Sequence, residues 1–218
     1  PLYGELFPLS ILPTELPELP VLSAASPLSD TDWLLPFFGF NSNTKERYTE
    51  ADGTEVITEV ETDRSLHIQP DGSIVYRSGT EATPEISAQE QNPTAAESAL
   101  GCSILLQELT EGLTGEASLY LQSVSQSGDS TQLRFGYQLA GTPIRFSDGG
   151  SAAEITLSGT SITRLTLRFR QYSTTNEQSL LLPLRQTLAI AADHPGVELS
   201  VGYADGGGDT VSASWLAD

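Results

Sequence analysis

From Ser161 to Arg170 the chain reads SITRLTLRFR, with Leu165, Leu167 and Phe169 at odd positions and Arg164, Arg168 and Arg170 at even ones. Alternation with period two marks a half-buried β-strand, here with one apolar and one cationic face. The pattern recurs along the chain. ADGTEVITEV and RSLHIQPDGSIVYRS predict three short strands with turns at Asp52-Gly53 and Asp71-Gly72. Asp-Gly favours a tight hairpin because glycine accepts positive φ without steric cost. EASLYLQSV and TQLRFGYQL form a hairpin through SQSGDS, AAEITLSG and ITRLTLRFRQY meet around Gly159, and VELSVGY returns as TVSASW through ADGGGD.

Two segments read as helices instead. NPTAAESALGCSILLQELTEG starts with Asn92 as N-cap, Pro93 in the first position and Glu97 in the first turn, and ends at Gly112 or Gly115. Ala99, Cys102, Leu105, Leu106 and Leu109 make its apolar stripe. LLLPLRQTLAIAADHPG is the second helix, with Pro183 near its start and His194-Pro195-Gly196 ending it. Residues 79–91 and STTNEQS are polar and aperiodic, hence loops. Residues 1–36 carry too many prolines for helix or sheet and predict an extended tether with polyproline II character, parts of which pack on the body.

Both halves then read strand, strand, helix, strand, strand, which predicts an internal duplication. The expected fold is α+β: two similar units of antiparallel β-sheet, each covered by one helix and preceded by the tether. Residues 1–36 form the proline-rich segment, 37–146 the first unit and 147–218 the second, either as separate units or as one continuous body.

Composition narrows the function. The 218 residues include 10 Lys and Arg against 29 Asp and Glu, a net charge of −19 that argues against nucleic acid as a partner. Residues 1–98 hold 17 acids and 4 bases, residues 99–218 hold 12 and 6. A single cysteine, Cys102, excludes an internal disulfide and any cysteine-based zinc site. No apolar run approaches the ~20 residues of a membrane-spanning helix. The chain starts at Pro1 and has no methionine, so a fragment or processed product is expected, with any signal peptide or anchor out of view.

No residue is assigned to catalysis, to a cofactor or to a metal. His67 belongs on a solvent-facing strand side and His194 at a helix C-terminus, where an imidazolium complements the macrodipole. Neither sits in a metal-ligand spacing, and no nucleophile-elbow motif is present. Cys102 reads as a buried, inert thiol. Glu55, Glu59 and Glu61 share one strand face, which is expected to be solvated. Asp148 in SDGG and Asp205 and Asp209 in ADGGGD lack the oxygen series of a calcium loop and are read as turn residues. The expected body has no pocket where ionisable groups converge.

That leaves the arginine face. Three cations on one strand side repel unless anions lie close, and Glu154 on the preceding strand is the expected cross-strand partner. The alternative is a docking face for an acidic protein, built from Arg164, Arg168, Arg170 and Tyr172, where the planar guanidinium is favoured.

The succession FGFNSNTKERYTEADGTEVITEVETDRSLHIQPDGSIVYRS, GEASLYLQSV, FGYQLAGTPIRF, ITRLTLRFRQY, LLLPLRQTLAIA and LSVGYADGGGDTVSASW, over residues 37–218, resembles the YycH/YycI group of bacterial regulators, its clostridial members in particular. The resemblance implies a Gram-positive extracytoplasmic domain at the cell surface, tethered to the cytoplasmic membrane by one N-terminal helix that would precede Pro1. It implies α+β domains without enzymatic activity. The implied partner is the sensor histidine kinase of a cell-wall two-component system, or a sister regulator. It supplies no residue-level roles. The competing expectations are a module that binds or hydrolyses envelope carbohydrate, and a purely structural surface domain.

Overall fold

The computed structural model describes residues 18–41, 44–59, 61–79, 84–88, 92–191 and 199–217. The alternating segments form strands: β1 (Pro20–Ala25), β2 (Lys45–Thr49), β3 (Glu55–Glu59), β4 (Arg64–Ile68), β5 (Ser73–Arg77), β6 (Ser118–Ser127) and β7 (Ser130–Leu139). They continue with β8 (Thr142–Phe146), β9 (Ala153–Ser158), β10 (Ser161–Arg168), β11 (Gln171–Gln178), β12 (Leu199–Asp205) and β13 (Thr210–Ala217). Helices α1 (Leu34–Phe37), α2 (Ala95–Thr110) and α3 (Leu184–Ala191) complete the elements of the described residues.

The thirteen strands of the described residues join one mixed sheet in the order β11-β1-β13-β12-β8-β7-β9-β10-β5-β4-β3-β2, with β6 also paired to β7. Neighbours run antiparallel except β12 and β8, which are parallel. This overturns the expectation of two helix-covered units. The two halves of the sequence interleave: β10 pairs with β5 from Arg164 opposite Arg77 to Arg168 opposite Ser73, and β9 pairs with β7 from Ser158 opposite Ser130 to Ala153 opposite Phe135. A sheet shared in this way leaves neither half with a closed edge or a private core.

The proline-rich start is not wholly a tether either. Pro20–Ala25 inserts between β11 and β13, and Leu22 and Ala24 are buried there. Leu34 and Leu35 of α1 are buried as well.

Two buried clusters hold the sheet. In the larger, Leu34 and Phe38 near α1 and Cys102, Leu106 and Leu109 of α2 meet Ile57, Leu66, Tyr76, Phe135 and Leu165. In the smaller, Leu22, Tyr137, Tyr172, Tyr203 and Val211 pack together. Each such side chain contributes about 1.5–3 kcal/mol on burial. Helix α2 is capped by Thr94, not Asn92: the Thr94 hydroxyl accepts from the Glu97 amide at 3.3 Å, and Glu97 Oε2 accepts from the Thr94 amide at 2.8 Å. This reciprocal capping box satisfies two free helix donors, and Pro93 falls before the cap.

The stretch from Ser161 to Arg170 serves two regions. Strand β10 stops at Arg168, the Phe169 amide donates to the Gly72 carbonyl at 3.0 Å, and β11 starts at Gln171 to pair with β1. Gly72 sits at φ +86°, and a Cβ there would lie 3.2 Å from the Phe169 carbonyl oxygen. Only glycine permits both the turn and that approach.

The Glu55, Glu59 and Glu61 face is also corrected. Glu59 is buried, accepting from the Asn41 amide at 3.0 Å, the Thr44 hydroxyl at 2.9 Å and the Thr62 hydroxyl at 2.7 Å, with Arg64 at 3.3 Å. These donors, the Thr62 hydroxyl foremost, hold its carboxyl below the usual range despite burial. Glu55 pairs with Arg47 on the neighbouring strand. Among the described residues, no helix is long and apolar enough to cross a membrane.

Candidate functional site

Three Asp-containing loops converge at one end of the sheet. They are the β4–β5 turn with Pro70 and Asp71, the β8–β9 turn with Ser147 and Asp148, and the β12–β13 turn with Asp205, Gly206, Gly207 and Asp209. With Ser26, Ser73, Phe146, Arg168 and Arg170 they line a cleft of about 640 Å³. The expectation of a surface without converging ionisable groups does not hold: six charged side chains meet here.

Each loop is built locally by its aspartate. Asp71 Oδ1 accepts from the Ser73 amide at 2.8 Å, Asp148 Oδ1 from Gly150 at 2.9 Å and Asp205 Oδ1 from Gly207 at 2.7 Å. These are Asx turns, so the turn chemistry read from DG and SDGG is present. Asp148 and Asp205 then do a second job that the sequence did not reveal.

Arg170 and Asp205 form a buried bidentate pair. The Arg170 Nε donates to Asp205 Oδ2 at 3.0 Å and Nη2 to Oδ1 at 2.9 Å, while Nη2 also reaches the Gly208 carbonyl at 2.7 Å. The Tyr172 hydroxyl donates to Asp205 Oδ2 at 2.7 Å. Burial, and then the Asp205 carboxylate beside it, pushes the Tyr172 phenol above its ordinary pKa. Tyr137 packs edge-on against Tyr172 at 5.4 Å and donates to the Arg168 carbonyl at 2.7 Å. At the mouth, Arg168 bonds Asp148 Oδ2 at 2.8 Å and lies 4.6 Å from the centre of the Phe146 ring. That arginine, followed by the Gly150 amide, holds the Asp148 carboxyl below the usual range.

Of the expected contact face, Arg168 and Arg170 therefore come together in the cleft, each neutralised by an aspartate. Tyr172 is fully buried behind them. Arg164 is exposed in the middle of β10, opposite Arg77 on β5 and away from the cleft-lining residues. Glu154 does not serve these arginines; it lies 3.3 Å from Arg134, its partner in the β7–β9 register. Asp148 and Asp205 were missed as counter-ions because they stand 20 and 35 positions away from Arg168 and Arg170. The one available signal was the recurrence of Asp-Gly turns.

Four carboxylates against two guanidiniums leave the cleft acidic. Asp71 and Asp209 are exposed and form no ion pair among the described residues. Among those residues no three His, Cys, Asp or Glu side chains are arranged to hold a metal ion. His67 is half-buried on the sheet face opposite the larger core, across from Val56 and Val75; His194 lies outside the described residues. Cys102 is buried, and burial pushes its thiol up to about 12.

No family model matches the chain, and no curated protein matches it. The resemblance to the YycH/YycI group thus rests on its short phrases alone. Among solved structures, the Bacillus megaterium YpeB C-terminal domain is similar over 85% of this chain and 84% of its own, with 11% identity and a TM-score of 0.39, a level that carries no argument about fold or function.

Proposed function

We propose that this chain is a non-enzymatic, extracytoplasmic interaction domain that binds a protein partner through its acidic cleft. The partner that the sequence resemblance implies is the membrane sensor histidine kinase of a cell-wall two-component system. What supports the reading is the way the ionisable groups of the cleft are used. Buried Arg170, Asp205 and Tyr172 saturate one another, and the exposed Asp148 is held by Arg168, so these groups set loop geometry rather than standing poised for proton transfer. Asp71 and Asp209, which form no ion pair among the described residues, offer an acidic rim. Such a rim recognises a cationic segment and adds mainly to association rate and specificity.

The test is binding of the purified chain to the extracytoplasmic and membrane segments of the sensor kinase from the same genome, followed by biolayer interferometry. Binding that weakens about tenfold in Asp71→Asn/Asp209→Asn, and weakens further with salt, supports the reading. No retention of that kinase, in vitro or by cross-linking in cells, removes it. Release of soluble fragments from purified cell wall would replace it with the hydrolytic alternative.

A further inference from the structure

We propose that the free edge of β6 is a self-association surface at which two copies of this chain join their sheets antiparallel. The strand is ten residues long and pairs only with β7, while α2 packs on its inner face. Its other edge has no backbone partner among the described residues, and most of its residues are exposed. Unpaired amides and carbonyls along such an edge form a template for another strand.

The chain guards its other edges and leaves this one open. At one end of the strand order, β2 reads KERYT, with three charges in five residues. At the other end, the outer edge of β11 is already engaged: the Tyr172 amide donates to the Thr114 carbonyl and the Thr174 amide to the Glu116 carboxylate. Strand β6 reads SLYLQSVSQS, without a charge or a proline. In a chain of net charge −19, nearly any other contact between two copies brings carboxylates together. This neutral strip is where two copies meet at least electrostatic cost, which is why a second copy is the occupant.

The strand's irregularity fits that occupant. Its register shifts between Leu121 and Ser123, so Leu121 opposite Phe135 and Val124 opposite Leu133 point to the same, helix-covered face. A two-fold axis through the middle of β6 then sets Leu121 of one copy beside Val124 of the other, twice. Leu121 is 40% exposed in the single chain. Pairing would cover it and extend the apolar face continuously from one copy to the next.

Sedimentation equilibrium on the full chain tests this. The weight-average mass should rise from 23.3 kDa towards twice that value with concentration. Association should strengthen between low and high NaCl, because salt screens the repulsion of two acidic bodies, whereas an ion-paired interface would weaken. Leu121→Lys should return the chain to monomer with an unchanged circular dichroism spectrum. Should that variant unfold, Gln122→Lys/Ser125→Lys places charges on the exposed edge without touching the core and should do the same. A chain that stays monomeric at every concentration and salt, or a dimer that persists in the folded edge variants, overturns the proposal.

Discussion

Replacing Asp205 by alanine removes the acceptor of four hydrogen bonds: two from Arg170, one from the Tyr172 hydroxyl and one from the Gly207 amide. Asp205 is 1% exposed and Arg170 9%, so neither can recover these bonds from bulk water. Arg170 keeps only its bond to the Gly208 carbonyl, on a loop that has just lost its Asx turn. Removing one partner of a buried ion pair typically costs about 3–5 kcal/mol, because an uncompensated charge stays behind. For a domain of this size that corresponds to a fall in Tm of roughly 6–20 °C. Urea and thermal unfolding at pH 7 measure it. A second variant, Asp205→Leu/Arg170→Met, removes both charges and fills the space with apolar groups. It should recover most of the loss, to within about 2 kcal/mol of the parent. If Asp205→Ala costs less than about 1 kcal/mol, the pair behaves like an exposed surface bridge and the reasoning fails.

Two further outcomes follow from buried groups elsewhere. The folded Glu59 carboxyl titrates below its unfolded value of about 4.3, so its contribution is fully present above that value and is lost as pH falls through the folded one. Glu59→Gln should therefore lower the urea midpoint at pH 7 and flatten its decline between pH 5 and 2; an unchanged acid limb would refute the assignment. The Cys102 thiol, pushed up to about 12 by burial, should resist a thiol reagent at pH 8 in the native protein and react fully once guanidinium chloride unfolds it. Ready labelling of the folded chain would contradict its placement on the buried face of α2.

Alternation made the strands with one buried face legible: β4 and β5 around Asp71-Gly72, β6 and β7, β9 and β10. The missed strands lack that contrast. Lys45–Thr49 lies at the sheet edge with no residue fully buried, and Gln171–Gln178 is polar almost throughout because its outer half faces water. Pro20–Ala25 and Thr142–Phe146 each carry a proline that argues locally against a strand. Local pattern also could not choose between two sheets and one, since the pairing of β10 with β5 joins residues as distant in sequence as Ser73 and Arg168. The site divides in the same way. The Asp-Gly turns announced themselves, whereas the ion pairs that bind them to Arg168 and Arg170 exist only once strands distant in sequence lie side by side.

Strand β1 has its place between β11 and β13, with Leu22 opposite both Thr174 and Val211. A ribosome moving at roughly 5–20 residues per second needs on the order of 10–40 s to reach the second of those neighbours after making the first strand. Throughout that interval Leu22 and Ala24 lack at least one of the two strands they settle between. This end of the molecule can close only once β13 has been made, long after the strand it encloses.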